Sequence, residues 1–306
     1  VLTRDEVIWA FRYCLGRDPE SEETVLRHTS FSGWLDLRNA LMASDEFHAS
    51  VGFRPFPSKW VMCTTLGDQR KMWVDLSDRY VSIACMLDQY EPDETLFLRK
   101  HLRKGQGFVD VGANVGWFTM VASTILDPSD PITAFEPRRS TSEHLQMSIE
   151  ENGLAAQATL HRCGLSDHEG NAFINNIIGT DNPGGSFISP DKLGGQMESQ
   201  AISVRTLDSF RLDAVGFVKM DVEGAEPQVV AGAMDTLSRC RPVVMSEINP
   251  IGLRNVSGAS VDDYLKIFID MNYRIEIIGN GRDGEIITRF PSDWTRDIMN
   301  VGMVPQ

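Results

Sequence analysis

Residues 108–118 read FVDVGANVGWF. They confine this stretch to one local topology: a buried strand that ends in an acid, a glycine-flanked turn, and the start of a helix. Phe108, Val109 and Val111 give the strand its aromatic and β-branched character. Gly112 and Gly116 carry no Cβ, so the backbone can turn there and approach a ligand closely, and Asn114 tolerates turn conformations. Trp117 to Ile125 continues as an apolar helix. In an open α/β sheet this order builds a nucleotide-sized pocket at the carboxyl end of the strand. Asp110 narrows the choice of ligand. A dinucleotide fold places G-x-G-x-x-G here and seats a pyrophosphate on the helix N-terminus. This chain has G-x-x-x-G behind an acid, and a carboxylate repels phosphate but suits a neutral or cationic ligand. Further on, Ile132 to Phe135 form a second short strand ending in Glu136 and Pro137. An acid at that tip hydrogen-bonds a ribose diol.

Strand and helix alternate through the rest of the chain. Strands are expected over 107–111, 132–136, 158–163, 217–221, 242–248 and 273–279, and helices over 115–126, 140–152, 225–237 and 260–271. That spacing predicts right-handed parallel crossovers, with a final antiparallel pair in the tail, 286–304. Residues 169–200 crowd glycines and polar side chains and fit a β-ribbon or a loop better than a helix. Residues 217–233, FVKMDVEGAEPQVVAGA, read as a strand, an acidic cluster and a helix.

The ordered set Asp110, Gly112, Gly116 and Glu136 resembles the S-adenosylmethionine pocket of class I methyltransferases. The longer series VDVGANVG, AFEP, LSDHEG, TLDSF, VKMDVEGAE and RPVVMSEI is similar to the FkbM family of S-adenosylmethionine-dependent O-methyltransferases, from residue 75 to 305. Its most specific part is Lys219-x-Asp221-x-Glu223-Gly224-x-Glu226. The resemblance implies a Rossmann-like class I methyltransferase fold, a mostly parallel seven-stranded sheet flanked by helices. It implies S-adenosyl-L-methionine as cofactor, held by Asp110, Gly112, Asn114, Gly116 and Glu136, with Ser166 and Asp167 near the adenine. The activity it implies is methyl transfer to a hydroxyl of a sugar or bacterial polysaccharide. Transfer to a polyketide or other natural product, and a non-catalytic glycan-binding scaffold on the same fold, are the alternatives.

Residues 3–49 differ in character. Thr3-Arg4-Asp5-Glu6 suggests an N-cap leading into an amphipathic helix through Tyr13, stopped by Gly16. A second helix is expected from Ser21 to His28 and a third from Trp34 to Ala43. The pattern Y-x-LGRDP followed by SDEF resembles the small helical repeat DUF4214 of bacterial surface and polysaccharide-related proteins, which suggests association with polysaccharide-synthesis proteins. A helical cap that merely packs on the main domain is the plainer alternative. The expected division is a helical module over 1–50, a linker over 51–72 carrying two prolines, and a methyltransferase-like domain over 73–306. The chain begins with Val1, as a processed chain or a piece of a longer parent would. Tyr90 and Glu91, ahead of the helix opened by Pro92, are candidates to line the cofactor pocket.

A net charge of −14 argues against a nucleic-acid groove, which needs concentrated basic surface. The one basic cluster, Arg99 to Lys104, reads as the C-terminal turn of a helix. Five scattered cysteines, with no C-x-x-C spacing, read as reduced residues of a cytoplasmic protein. No apolar run is long enough to span a membrane.

Methyl transfer to an alcohol needs orientation and a group that takes the proton. Asp221 and Glu223 follow one strand, and Glu247 and Asn249 follow its sequential neighbour, so all four sit at the carboxyl ends. Asp221 is the first choice for the base. Each carboxylate has a structural reading too, as a partner of a helix dipole. Lys219, inside an apolar strand, either pairs with Asp221 or Glu247 or orients the acceptor hydroxyl. Asp221, Glu247 and Asn249 would make a hard oxygen set suited to a magnesium ion. Asn175, Asn182 and Asn249 are candidate substrate contacts, the first two on the glycine-rich insertion, where amides suit a polyhydroxylated acceptor.

Overall fold

The computed structural model describes residues 2–44, 46–47, 60–65, 67–76, 78, 80–177 and 186–306. The chain divides into two compact units, Val1–Val61 with Asp75–Arg79, and Met62–Val74 with Tyr80–Gln306. Among the described residues the first contains helices α1 (Arg4–Leu15), α2 (Glu22–His28) and α3 (Trp34–Met42). Thr3 and Glu6 form the expected capping box of α1, and Gly16 closes it in the left-handed conformation, which a glycine adopts without strain. Val7, Ala10, Phe11, Cys14, Val25, Leu37 and Leu41 make a separate small core.

Strands β1 (Trp60–Thr64) and β2 (Lys71–Asp75) pair with each other. Residues 60–64 and 71–72 are therefore strand where the linker is expected, because aromatic and β-branched residues at 60–64 favour a strand; residues 51–59 and 66 lie outside the described residues. Within the second unit the Trp73 amide donates to Ser148 Oγ (2.9 Å). Helices α4 (Ser82–Met86) and α5 (Pro92–His101) follow, and α5 ends in the basic run as expected.

The main sheet is built in chain order from β3 (Gly107–Val111), α6 (Trp117–Ile125), β4 (Ile132–Phe135), α7 (Arg139–Glu151) and β5 (Ala158–His161). The chain then forms a second sheet from β6 (Gly164–Leu165), β7 (Gly170–Ile177), β8 (Phe187–Ser189) and β9 (Met197–Arg205), so the described part of the polar, glycine-rich insertion is a ribbon; residues 178–185 lie outside the described residues. It returns through β10 (Val215–Met220), α8 (Glu226–Ala231), α9 (Met234–Cys240), β11 (Val243–Ile248), α10 (Val261–Asp270), β12 (Tyr273–Ile278), β13 (Ile286–Ile287) and β14 (Met299–Pro305). The single helix expected over 225–237 is two, divided at Gly232, where a Cβ would overlap the Ser166 carbonyl.

The order across the main sheet is β13-β12-β14-β11-β10-β3-β4-β5. Strands β11, β10, β3, β4 and β5 are parallel, and β14, β12 and β13 are antiparallel additions at one edge. The expected mostly parallel α/β sheet is present, with an eighth strand only two residues long. From β3 the chain steps one way through β4 to β5, and from β10 the other way to β11. With right-handed crossovers this puts α6 and α7 on one face and α8 and α9 on the other. The reversal between β3 and β10 opens a crevice at their carboxyl ends, where ligands of open α/β sheets bind. Among the described residues no helix is long and apolar enough to cross a membrane.

Candidate active site

Gly112 ends β3 at φ +73°, and a Cβ there would overlap the Asp221 carbonyl oxygen. The glycine thus lets the tips of β3 and β10 close against each other. Asp110 and Lys219 face each other in register across the same strand pair. Lys219 is buried; its Nζ donates to the Gly112 carbonyl (3.0 Å) and to Asp221 Oδ2 (3.3 Å), and lies 5.5 Å from the Phe118 ring centre. Burial lowers the lysine's pKa, but the charges of Asp221, Asp110 and Glu91 outweigh it and raise the net value. The ion-pair reading of Lys219 holds, with Asp221 as partner and a backbone carbonyl added.

Asp110 itself does not line the crevice. It is fully buried, one carboxylate oxygen accepts from Thr119 Oγ1 (2.6 Å), and the other has no hydrogen-bond partner among the described residues. Burial pushes its pKa up. The expected contact between Asp110 and a cofactor is replaced by a lock between β3 and α6, because a strand this buried turns its alternate side chains into the core. Gly116, at φ +93°, likewise packs against Leu145 rather than lining the crevice.

The crevice is walled by Gly112, Asn114, Glu136, Pro137, Asp221 and Glu223, with Phe135, Cys163, Leu165 and Val222 among the apolar contacts. Glu136 Oε2 accepts the Asn114 amide (3.0 Å) and Oε1 the Arg138 amide (2.8 Å). Asn114, in the left-handed region at φ 49°, turns its N–H toward the acid. Burial raises Glu136 to about 7 despite these bonds. Each of its oxygens still has a lone pair to offer. The crevice alone is narrow, about 60 Å³. It shares Leu165 and Ile188 with a neighbouring cleft of about 350 Å³, whose walls include Ser166, Asp167 and His168. Ser166 Oγ donates to Asp167 Oδ1 (3.1 Å), which lies 2.7 Å from His168 Nδ1. The hydrogen bond with His168 holds the Asp167 carboxyl low.

Beside the crevice lies a crowd of acids. One carboxylate oxygen from each of Glu91, Asp221 and Glu247 can be chosen so that all lie within 4.8 Å of one another. Burial first, and then the charge of Asp221, raises Glu91 to about 8. The same two causes raise Glu223 to about 8 and push Glu247 well up. Glu226 behaves differently: its Oε1 accepts the amides of Val222 (3.1 Å) and Gly224 (3.3 Å), so it braces the turn between β10 and α8.

Several expected contacts are otherwise employed. The Asn249 side chain accepts the amides of Ile251 (3.1 Å) and Gly252 (3.0 Å) as a helix cap, and Glu91 is the acid that joins Asp221 and Glu247. An Asn before Pro is a capping signal, and that signal outranks the metal reading at this position. Asn175 is buried and bonded to Ser189, Ser199 and the Phe173 carbonyl, which makes it part of the ribbon's framework and not a substrate contact. Asn182 lies outside the described residues. Arg138, Thr141, Ser186 and Ile188 also line the crevice and carry no sequence signal beyond their nearness to Glu136 and the insertion.

Comparison with known proteins gives this arrangement a family. "Methyltransferase 1" of Beauveria bassiana (strain ARSEF 2860) is 28% identical over 148 residues, covering 42% of this chain and 58% of that protein. The chain thus matches little more than half the length of that curated relative. The crystal structure of methyltransferase FkbM from Methylobacillus flagellatus KT is 17% identical, with a TM-score of 0.41 over 97% of this chain and 58% of that one. A SAM-dependent O-methyltransferase from Thermotoga maritima is 12% identical, with a TM-score of 0.41 over 87% and 97%. The methyltransferase FkbM domain model matches residues 110–275, from the acid of β3 into β12. The chain belongs to the FkbM family of S-adenosylmethionine-dependent methyltransferases.

Proposed function

We propose that this chain transfers a methyl group from S-adenosyl-L-methionine to a hydroxyl of a sugar or polysaccharide, in the cytoplasm. The reading is carried by one observation: a crevice with the acceptor Glu136 on one wall continues to a group of carboxylates that includes Asp221 and Glu223. The residues fit the cofactor. Glu136 is held by two backbone amides and offers its remaining lone pairs to a ribose diol, and the acids nearby favour a cationic ligand. When bound, the cofactor supplies a methyl group on a positively charged sulfur.

The chain's own residues orient the acceptor and take its proton. An alcohol is a weak nucleophile, and a base serves best with a pKa near the working pH. Glu91 and Glu223, at about 8, meet that condition. Burial, and then the charge of Asp221, keeps their pKa values raised; Asp221 is itself at the crevice wall, and Lys219 fixes its position. The chain's part in the proposed step is to take the proton: a carboxylate oxygen of the Glu91–Asp221–Glu247 group would accept it from the acceptor hydroxyl. The same three carboxylates form an oxygen set of the kind magnesium takes. A rise in melting temperature with magnesium, lost in Glu91→Gln, is the expected sign of the ion; no shift in the wild type removes it.

The test is incubation with methyl-labelled cofactor and a panel of bacterial oligosaccharides. Label should enter the carbohydrate with wild-type protein and fall at least about a hundredfold with Asp221→Asn. Label in no carbohydrate, or full activity in that variant, sinks the proposal.

A further inference from the structure

The paired strands β7 and β9 turn their even-numbered residues to one face, because side chains alternate along a strand. At one end that face is apolar, with Ala172, Ile174, Ile202 and Val204 in a small buried cluster. It then becomes polar: Asn176 stands opposite Glu198 in register, with Gln200 next along β9 on the same face. These three line a cleft of about 260 Å³ whose other wall is Arg138, Arg139 and Glu143 at the start of α7. The cleft shares Arg138, Ile174 and Ser186 with the cofactor crevice. It is therefore distinct from the Ser166–Asp167 cleft, which meets the crevice at Leu165 and Ile188.

The chemistry of the walls identifies the class of ligand. Two arginines are balanced by two glutamates, so no net charge is left to capture a phosphate. The Gln200 side chain donates to the Pro137 carbonyl (3.2 Å) and accepts the Arg139 amide (3.2 Å), while Arg139 Nε donates to Glu143 (2.8 Å). This wall is fixed before any ligand arrives. Among the described residues neither the Asn176 amide nor the Glu198 carboxylate has a side-chain hydrogen bond, so both are available to a ligand. Dense donors and acceptors in a space below the ~300–1,000 Å³ of sites for drug-sized molecules suit a single sugar ring.

We propose that this cleft holds a sugar ring of the acceptor next to the ring that is methylated, so that Asn176 and Glu198 decide which glycan is used. This inference rests on the sugar-hydroxyl reading above. Saturation-transfer NMR tests it, with protein loaded with S-adenosylhomocysteine and the methyl glycosides of glucose, mannose and rhamnose as probes. Transfer to at least one glycoside is expected, with Kd rising about tenfold in Glu198→Ala and about threefold in Asn176→Ala. Millimolar inorganic phosphate should not compete. Matching melting temperatures of wild type and variants confirm that folding is intact. Absence of transfer to every glycoside, transfer unchanged in both variants, or displacement by phosphate overturns the inference. Methylation of an oligosaccharide with a wild-type KM in Glu198→Ala overturns it and leaves the sugar-hydroxyl reading standing. Glycoside binding in the cleft without methylation of any oligosaccharide overturns that reading, and the acceptor role of the cleft with it.

Discussion

The tip of β4 and the tips of β10 and β11 both bury acids, and they satisfy them in opposite ways. At β4, Glu136 is held by two backbone amides at 3.0 and 2.8 Å. At β10 and β11, Asp221, Glu223 and Glu247, joined by Glu91, crowd together with Lys219 as the cation that several of them share. Backbone amides make a fixed acceptor that can serve a neutral diol. Mutual repulsion makes a group that gains by taking up a proton or a cation. Buried acids therefore mark different chemistry according to what holds them.

The largest expected effect separates the two ends. Asp221→Asn should lower kcat by about 10²–10⁴ and leave the Kd for S-adenosylhomocysteine within about threefold, measured by labelled-methyl assay and calorimetry. Glu136→Ala should do the reverse, weakening that Kd about a hundredfold with a smaller change in kcat at saturation. Equal losses of both quantities in both variants would erase the distinction.

A pH titration sharpens it. Glu91, Glu223, Glu226 and Glu136 keep protons in the folded state that the unfolded chain releases near 4.5. Their contribution to stability is full below that value and is lost as pH rises toward 8. His101 and His161, lowered by burial, act in the opposite sense below pH 6.5. The net expectation from urea unfolding is a loss of stability as pH rises from 5 to 8, because the four raised carboxyls outnumber the two lowered histidines. Asp221→Asn should flatten that slope, because its charge adds to the shifts of Glu91 and Glu223; an unchanged slope would locate the cause elsewhere. The smallest effect concerns Asp110. Thr119→Val should cost about 1–2 kcal/mol of stability, by leaving a buried carboxylate oxygen without its donor, with no change in cofactor Kd.

Local signals in the sequence carried far. Glycines 112 and 116, the alternation of strand and helix, and the caps at Thr3 and Gly16 each act through neighbouring backbone; both glycines take the positive φ of a turn and the caps form as read, while Gly116 packs against Leu145 and the helix expected over 225–237 is two. Orientation was harder to read. Asn175 and Asn176 are adjacent and chemically identical, yet the first is framework and the second faces a cleft, because a strand sends successive side chains to opposite faces. Nor could spacing bring Glu91 to Asp221 and Glu247, since 130 residues separate Glu91 from Asp221.

By itself the sequence determined the family, the parallel sheet and the acids at the strand tips, since these depend on residue type and local order. Only the tertiary structure decided which acids face the crevice and which are locked into the core. Burial, and the charges brought alongside by other elements, set each carboxylate's protonation, and both are properties of the assembled fold.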